Sequence, residues 1–172
     1  MKNIIAFTTL GLVAATAGLS ATAQTPPVDP EMEVVEAAED AASATNLVKG
    51  VYAGFESGDI AAATSGFAEE ITWNEAENSP YADKNPYVGA EAIVTGVFAR
   101  LGGEWDYFNA VPSEYIAQGD RVAVIGRYQA KHATTGKEMD IPFVHVWTVE
   151  DGAITGFQQY TDTLTHTEVM SD

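Results

Sequence analysis

The chain has 172 residues, no cysteine, 25 acidic against 8 basic side chains and a formal net charge of −17 at pH 7. That balance excludes a nucleic-acid binder and a protein that docks on anionic membrane surfaces, since both need basic patches. Without cysteine there is no disulfide, thiolate nucleophile or thiolate metal site, so stability must come from a core, for which this length suffices as one domain.

At the start, Lys2 is followed by an apolar, Ala/Gly/Thr-rich run from Ile4 to Leu19 and by Ala21-Thr22-Ala23, a small-x-small cleavage pattern. The run is short of the roughly 20 strongly apolar residues of a membrane span, so residues 1–23 are expected to be a signal peptide cut near Ala23. The mature chain is then expected to be periplasmic or secreted, with no membrane association after cleavage. Residues 24–45 are expected to form a Pro-rich linker and a leading helical segment, residues 46–166 the folded domain, and residues 167–172 a tail.

Glu31 to Ser57 carries Val34, Val35, Ala38, Leu47, Val51 and Phe55 at helical intervals, which predicts a helix with an interruption near Ser43 to Asn46. Gly58 ends it, and Asp59 is placed to cap a short second helix through Ala63. Ile71 to Ala76 predicts a strand carrying Trp73 and Glu75 on one face. A long loop with Pro80, Tyr81, Pro86 and Tyr87 follows, and Ala90 to Leu101 predicts a third helix stopped by Gly102-Gly103. The remainder alternates like strands, near 105–109, 113–117, 121–132, 138–149 and 153–163. Helices first and a meander last make an α+β domain.

The last hairpin, Phe143 to Thr163, turns at Asp151-Gly152 and sets polar groups in apolar strands. A two-residue turn would put His145 opposite Gln158 and on one face with Phe143, Trp147, Tyr160 and Asp162. A three-residue turn with a bulge at Gly152 would slip the pairing by one and send Asp162 to the other face. The residues leave both open.

Helices followed by a Val-His-Val-Trp-x-x-x-Asp-Gly-x-Ile hairpin that ends in Phe-x-x-Tyr-x-Asp-Thr resemble the SnoaL-like branch of the NTF2-like (ketosteroid isomerase-like) superfamily. Trp73, the Pro80-Tyr81 loop and Tyr87-x-Gly89 fit the same branch, and the resemblance covers Asn46 to Thr163. It implies a cone: a curved antiparallel sheet wrapped around the N-terminal helices, with a small-molecule pocket at its open end. It also implies proton-transfer chemistry by one carboxylate in an apolar cavity, where burial raises the pKa toward the working range.

On that resemblance Asp162 is expected as acid/base, with His145 and Tyr160 orienting or polarising a substrate. Trp73, Tyr52, Phe55, Tyr87 and Trp147 are expected to contact it, and Tyr81 to cover the pocket mouth. Glu75 is either a second cavity carboxylate or an exposed strand residue. Gln129 stands where an epoxide hydrolase would pair an acid with Arg127, which argues against that mechanism. His132 lies near a turn and His166 at the border of the tail, so neither is expected to partner His145. No metal-ligand spacing or phosphate loop is present, so no cofactor is expected. The expected partner is a small apolar molecule, turned over by isomerase, cyclase or dehydratase chemistry, or held by a non-catalytic binding or interaction module. A homodimer is expected through the sheet, because both faces of the last two strands carry apolar residues.

Overall fold

The computed structural model describes residues 30–172, with side chains from residue 33 onward; the expected signal peptide and the linker up to residue 29 lie outside the described residues. The elements run α1 (Pro30–Ser57), α2 (Ile60–Thr64), β1 (Phe67–Asn74), β2 (Tyr87–Val88), α3 (Ala90–Ile93), a π turn (Val94–Phe98), α4 (Ala99–Glu104), β3 (Trp105–Gln118), β4 (Arg121–His132), β5 (Glu138–Glu150), β6 (Ala153–Thr161) and α5 (Thr163–Met170).

The six strands form one curved, unclosed sheet in the order β2-β1-β6-β5-β4-β3. It is antiparallel except where β1 lies parallel to β6, so the sheet is mixed. Helix α1 packs against α2 and, on the sheet, mainly against β3 and β4, and the fold is an α+β cone. Alternation along β4 decides the layers: Val122, Val124, Tyr128 and Ala130 point inward and are buried, while Ile125, Arg127 and Gln129 face out. The inward row of β5, Met139, Ile141, Phe143, His145 and Trp147, lies beside it and completes the floor of the core. Gly126 makes room for this packing, because a Cβ there would lie 2.9 Å from one carbon of the Phe143 ring and nearer still to another.

Four local expectations change. Helix α1 runs without a break through Ser43 to Asn46, where Thr45 Oγ1 donates back to the Ala41 carbonyl at 2.7 Å and so satisfies its hydroxyl inside the helix. The helical segment from Ala90 passes Gly102-Gly103 and ends at Glu104. The two short strands expected between 105 and 117 are one strand, β3, with irregular register after Trp105 and after Pro112. The chain beyond Thr161 leaves the sheet and forms α5, capped by Asp162, whose carboxylate accepts from Thr165 N at 3.1 Å and Thr165 Oγ1 at 2.7 Å.

The hairpin register resolves in an unexpected way. Asp151 and Gly152 both have positive φ, at 50° and 75°, and close a two-residue turn between Glu150 and Ala153. The pairing then slips between Thr148 and Val149: Val149 faces Ile154, but Thr148 faces Gly156, which leaves Thr155 as an extra residue in β6. From there His145 lies opposite Gln159, not Gln158. The slipped register arises from a bulge within the strand and not from a longer turn.

Candidate functional site

The slip fixes what enters the cone. Phe157 and Gln159 turn inward beside Trp147 and His145, whereas Tyr160 is 57 % exposed on the outer face and Asp162 is exposed at the start of α5. Neither Tyr160 nor Asp162 reaches the interior. Asp162, expected as the acid/base, is a helix cap whose pKa is lowered by its hydrogen bonds to Thr165.

Inside the cone is a narrow cavity of about 50 Å³, lined by the expected Tyr52, Phe55, Trp73, Glu75, His145 and Trp147 and also by Tyr81, Tyr128, Phe157, Gln159 and His166. At about 10–15 Å³ per water it holds a few waters or a small planar molecule. Tyr87 is buried but does not line it. Its hydroxyl donates to the Tyr81 carbonyl at 2.7 Å or to Asp83 at 2.9 Å, and its ring lies against Gly96, so it supports the loop behind the cavity.

One polar network crosses the aromatic lining. Tyr52 Oη lies 2.7 Å from His145 Nδ1, and Tyr128 Oη lies 2.5 Å from His145 Nε2. Trp147 Nε1 donates to Tyr52 Oη at 3.2 Å, and Gln159 Nε2 donates to Tyr128 Oη at 2.9 Å. Gln159 Oε1 accepts from the Ala76 amide at 3.2 Å. Burial holds His145 neutral, with its pKa down to about 3. A neutral imidazole has one N–H and one lone pair, so one tyrosine donates to it and the other accepts from it. In either tautomer one tyrosyl O–H is left over, because that oxygen already accepts from His145 and from Trp147 or Gln159. The network therefore always retains one hydroxyl hydrogen for another acceptor.

Glu75 sits one residue past β1, on the inward side with Trp73, and is only 3 % exposed. Trp73 Nε1 donates to its Oε1 at 2.7 Å. Burial pushes its pKa from 4.5 up to about 7, an effect that the Trp73 and Gln159 hydrogen bonds and the Arg100 charge only partly offset. Asn85 fastens this turn, accepting from the Glu75 amide at 3.0 Å and donating to the Glu75 carbonyl at 2.8 Å. The following loop is held by Arg100, which pairs with Asp83 at 2.9 Å, donates to the Pro80 carbonyl at 3.2 Å and stacks over Tyr81 at 4.6 Å. Tyr81 Oη donates to Glu104 at 2.8 Å and accepts from Trp105 Nε1 at 2.7 Å.

Chemically the cavity joins a carboxyl poised near neutrality to a hydroxyl donor in a water-poor aromatic surround. No group of three or more His, Asp or Glu side chains able to hold a metal occurs among the described residues. Tyr128, Gln159 and His166 are the polar lining groups that sequence reasoning missed. Tyr128 lies between Arg127 and Gln129, and the alternation of β4 turns it inward while those two face out, where Arg127 donates to Asp140 Oδ1 and to the Asp140 carbonyl.

The model of the SnoaL-like domain family matches residues 48–157. The chain belongs to the SnoaL-like domain family. No curated protein matches it. Among solved structures, this SnoaL-like chain is similar to an NTF2-like protein from Burkholderia thailandensis, at 36 % identity over 75 % of this chain and 98 % of that one, with a TM-score of 0.72. It is also similar to Bal32a from a soil-derived mobile gene cassette, at 29 % identity over 76 % and 98 % of the two chains and a TM-score of 0.68. A third similar structure is TerC co-crystallised with polyporic acid, at 27 % identity over 76 % and 99 % and a TM-score of 0.69.

Proposed function

We propose that this SnoaL-like protein binds a small, largely apolar carbonyl compound in its cone and catalyses proton transfer on it, with Glu75 as the acid/base. The observation that carries this reading is the buried Glu75 carboxyl, with a pKa raised to about 7, in the same aromatic cavity as the Tyr52–His145–Tyr128–Gln159 network. Near neutral pH half of Glu75 is ionised, so it can take a proton from the carbon next to the carbonyl. The spare tyrosyl O–H would meet the enolate oxygen that forms. The proton held on the Glu75 carboxyl then passes to another carbon, which gives isomerisation, or is traded for a solvent proton that is delivered to the same carbon, which gives exchange. Co-crystallisation of the similar TerC with polyporic acid supports a small organic ligand in this cone.

The test is α-proton exchange of small cyclic ketones in D2O, followed by NMR. Wild type should exchange faster than buffer, and Glu75→Gln should fall to the buffer rate while Asp162→Asn remains active. Equal rates for wild type and Glu75→Gln would remove the catalytic reading.

A non-catalytic binding module is the second reading, favoured by the small volume and by the fact that every polar atom of His145 is already paired. It predicts saturable binding of the same ketones without exchange. Export to the periplasm or beyond is part of the proposal and rests on the pattern of residues 1–23. Expression in a Gram-negative host followed by fractionation checks it, with cleavage near Ala23 read by mass spectrometry.

Homodimerisation is proposed through the outer face of the sheet. Tyr160, Val144 and Ile125 lie side by side on adjacent strands there, with Ile116 and Val146 nearby, and Tyr160, Ile125 and Ile116 are exposed. Sedimentation should show a dimer that Ile125→Lys converts to a monomer; a monomeric wild type at high concentration would end this proposal.

A further inference from the structure

His166 is the group the proton-transfer reading does not use. It lies on α5, is 1 % exposed, and lines the cavity. Its Nδ1 and Nε2 are the only buried side-chain nitrogen or oxygen atoms without a hydrogen-bond partner among the described residues. Leaving such atoms unpaired costs stability, and native proteins do so rarely. His132, by contrast, has partners, with Nδ1 accepting from the Thr135 amide at 3.3 Å.

The side chain is not loosely held. Asp162 caps its helix, Thr135 Oγ1 donates to the Val169 carbonyl at 2.7 Å, Lys137 Nζ donates to the Ser171 carbonyl at 2.6 Å, and Val169 is buried in the core. The rings nearest the imidazole are Tyr81, Trp105 and Phe108, with centroids 5.6, 5.5 and 6.0 Å away. The hydroxyl of Tyr81 is already engaged with Glu104 and Trp105, and the indole N–H of Trp105 is spent on Tyr81. Burial and the neighbouring His132 hold His166 neutral, with its pKa lowered to about 4. A neutral imidazole offers one donor and one acceptor. The partner it fits is a hydroxyl, which can do both, or a carbonyl oxygen, on an uncharged ring that packs against the aromatic wall.

We propose that His166 is a ligand-contacting, specificity-determining residue of the cavity, selecting neutral cyclic molecules whose ring carries a hydroxyl or carbonyl oxygen. The inference rests on the proposed use of this cavity for ligand binding, though not on the proton-transfer step. The Glu75 carboxyl and its tyrosines would act on one part of the ligand, and His166 would read an oxygen substituent.

The experiment compares p-cresol with toluene, two rings that differ only in the hydroxyl, by calorimetric titration of the full chain. Wild type should prefer p-cresol by roughly two- to tenfold, the value of one neutral hydrogen bond. His166→Leu should erase that preference, the ratio of the two affinities falling to about one, and His166→Gln should retain part of it. In wild type, p-cresol but not toluene should shift the His166 15N resonances, a readout that holds even if a variant does not fold. No preference in wild type, or a preference that survives His166→Leu, would overturn the proposal, as would a preference lost only in Glu75→Gln. A failure of ketone exchange with this selectivity intact would remove the proton-transfer reading and leave this one standing.

Discussion

Replacing Glu75 by Gln should stabilise the protein at neutral and alkaline pH while abolishing proton transfer. The amide keeps the shape of the side chain and can still accept the Trp73 indole N–H that Glu75 Oε1 accepts at 2.7 Å. In the folded protein the carboxyl holds its proton up to pH about 7, against 4.5 ordinarily. Below pH 4.5 both folded and unfolded chains carry that proton, and the group contributes nothing that changes with pH. Between pH 4.5 and 7 the unfolded chain releases it first, so folding stability falls as pH rises. Above pH 7 the full deficit remains. At about 1.36 kcal/mol per pH unit, the change from 4.5 to about 7 corresponds to about 3 kcal/mol. Urea denaturation of both proteins, read by tryptophan fluorescence at pH 4.5, 6 and 8, measures the difference directly. Other titrating groups are common to both proteins and largely cancel. The stability of the variant relative to wild type should climb by about 3 kcal/mol between pH 4.5 and 8. A difference that stays flat across this range would refute the claim that a desolvated, protonatable carboxyl sits at this position.

Four further outcomes test the site and its frame. Tyr128→Phe strips a partner from both His145 Nε2 and Gln159 Nε2, and should cost about 2 kcal/mol in urea denaturation. Asp162→Asn should leave stability and ligand binding unchanged, while Asp162→Ala should cost about 1 kcal/mol, because the position asks for a helix cap and not an acid. The His145 imidazole, whose pKa burial lowers to about 3, should show no titration between pH 5 and 8 by 15N NMR. Its contribution to stability is therefore present above pH 6.5 and lost as pH falls toward 3, opposite in sign to that of Glu75. Gly126→Ala should destabilise by about 1–3 kcal/mol, since the new methyl would press on the Phe143 ring and the Val111 carbonyl; a neutral result in thermal melts would show that the strands relax freely there.

The fold was legible because its periodicities are strong. The alternation along 121–132 and 138–149, the Asp-Gly turn and the hairpin motif each pointed to the cone. The interior was less legible, for reasons that come down to single residues. An extra residue at Thr155 in β6 leaves composition and turn signals unchanged, yet it exchanges Gln159 for Gln158 and turns Tyr160 outward. Tyr128 stands between two charged or polar neighbours that mask it, and only its parity with Val122 and Val124 marks it as inward-facing. Glu75 shared a face with Trp73 in the sequence, but the indole hydrogen bond that accompanies its burial depends on side-chain geometry that spacing does not carry. The Thr163–Met170 helix has no apolar periodicity strong enough to announce itself, so nothing in its spacing marks His166 as part of a packed helix.

The bulge at Thr155 has a wider reach than the strand it interrupts. By delaying the end of β6 by one residue it delivers the Asp162 carboxylate to the exterior, at the point where the chain must start a helix, and there it fastens the segment that carries His166. Without the bulge, Thr148 would face Thr155 and every later residue of β6 would change face. Asp162 would then turn toward the chamber and α5 would lose its cap, so the shape of the chamber and the closing of its end depend on how one residue of β6 is left unpaired.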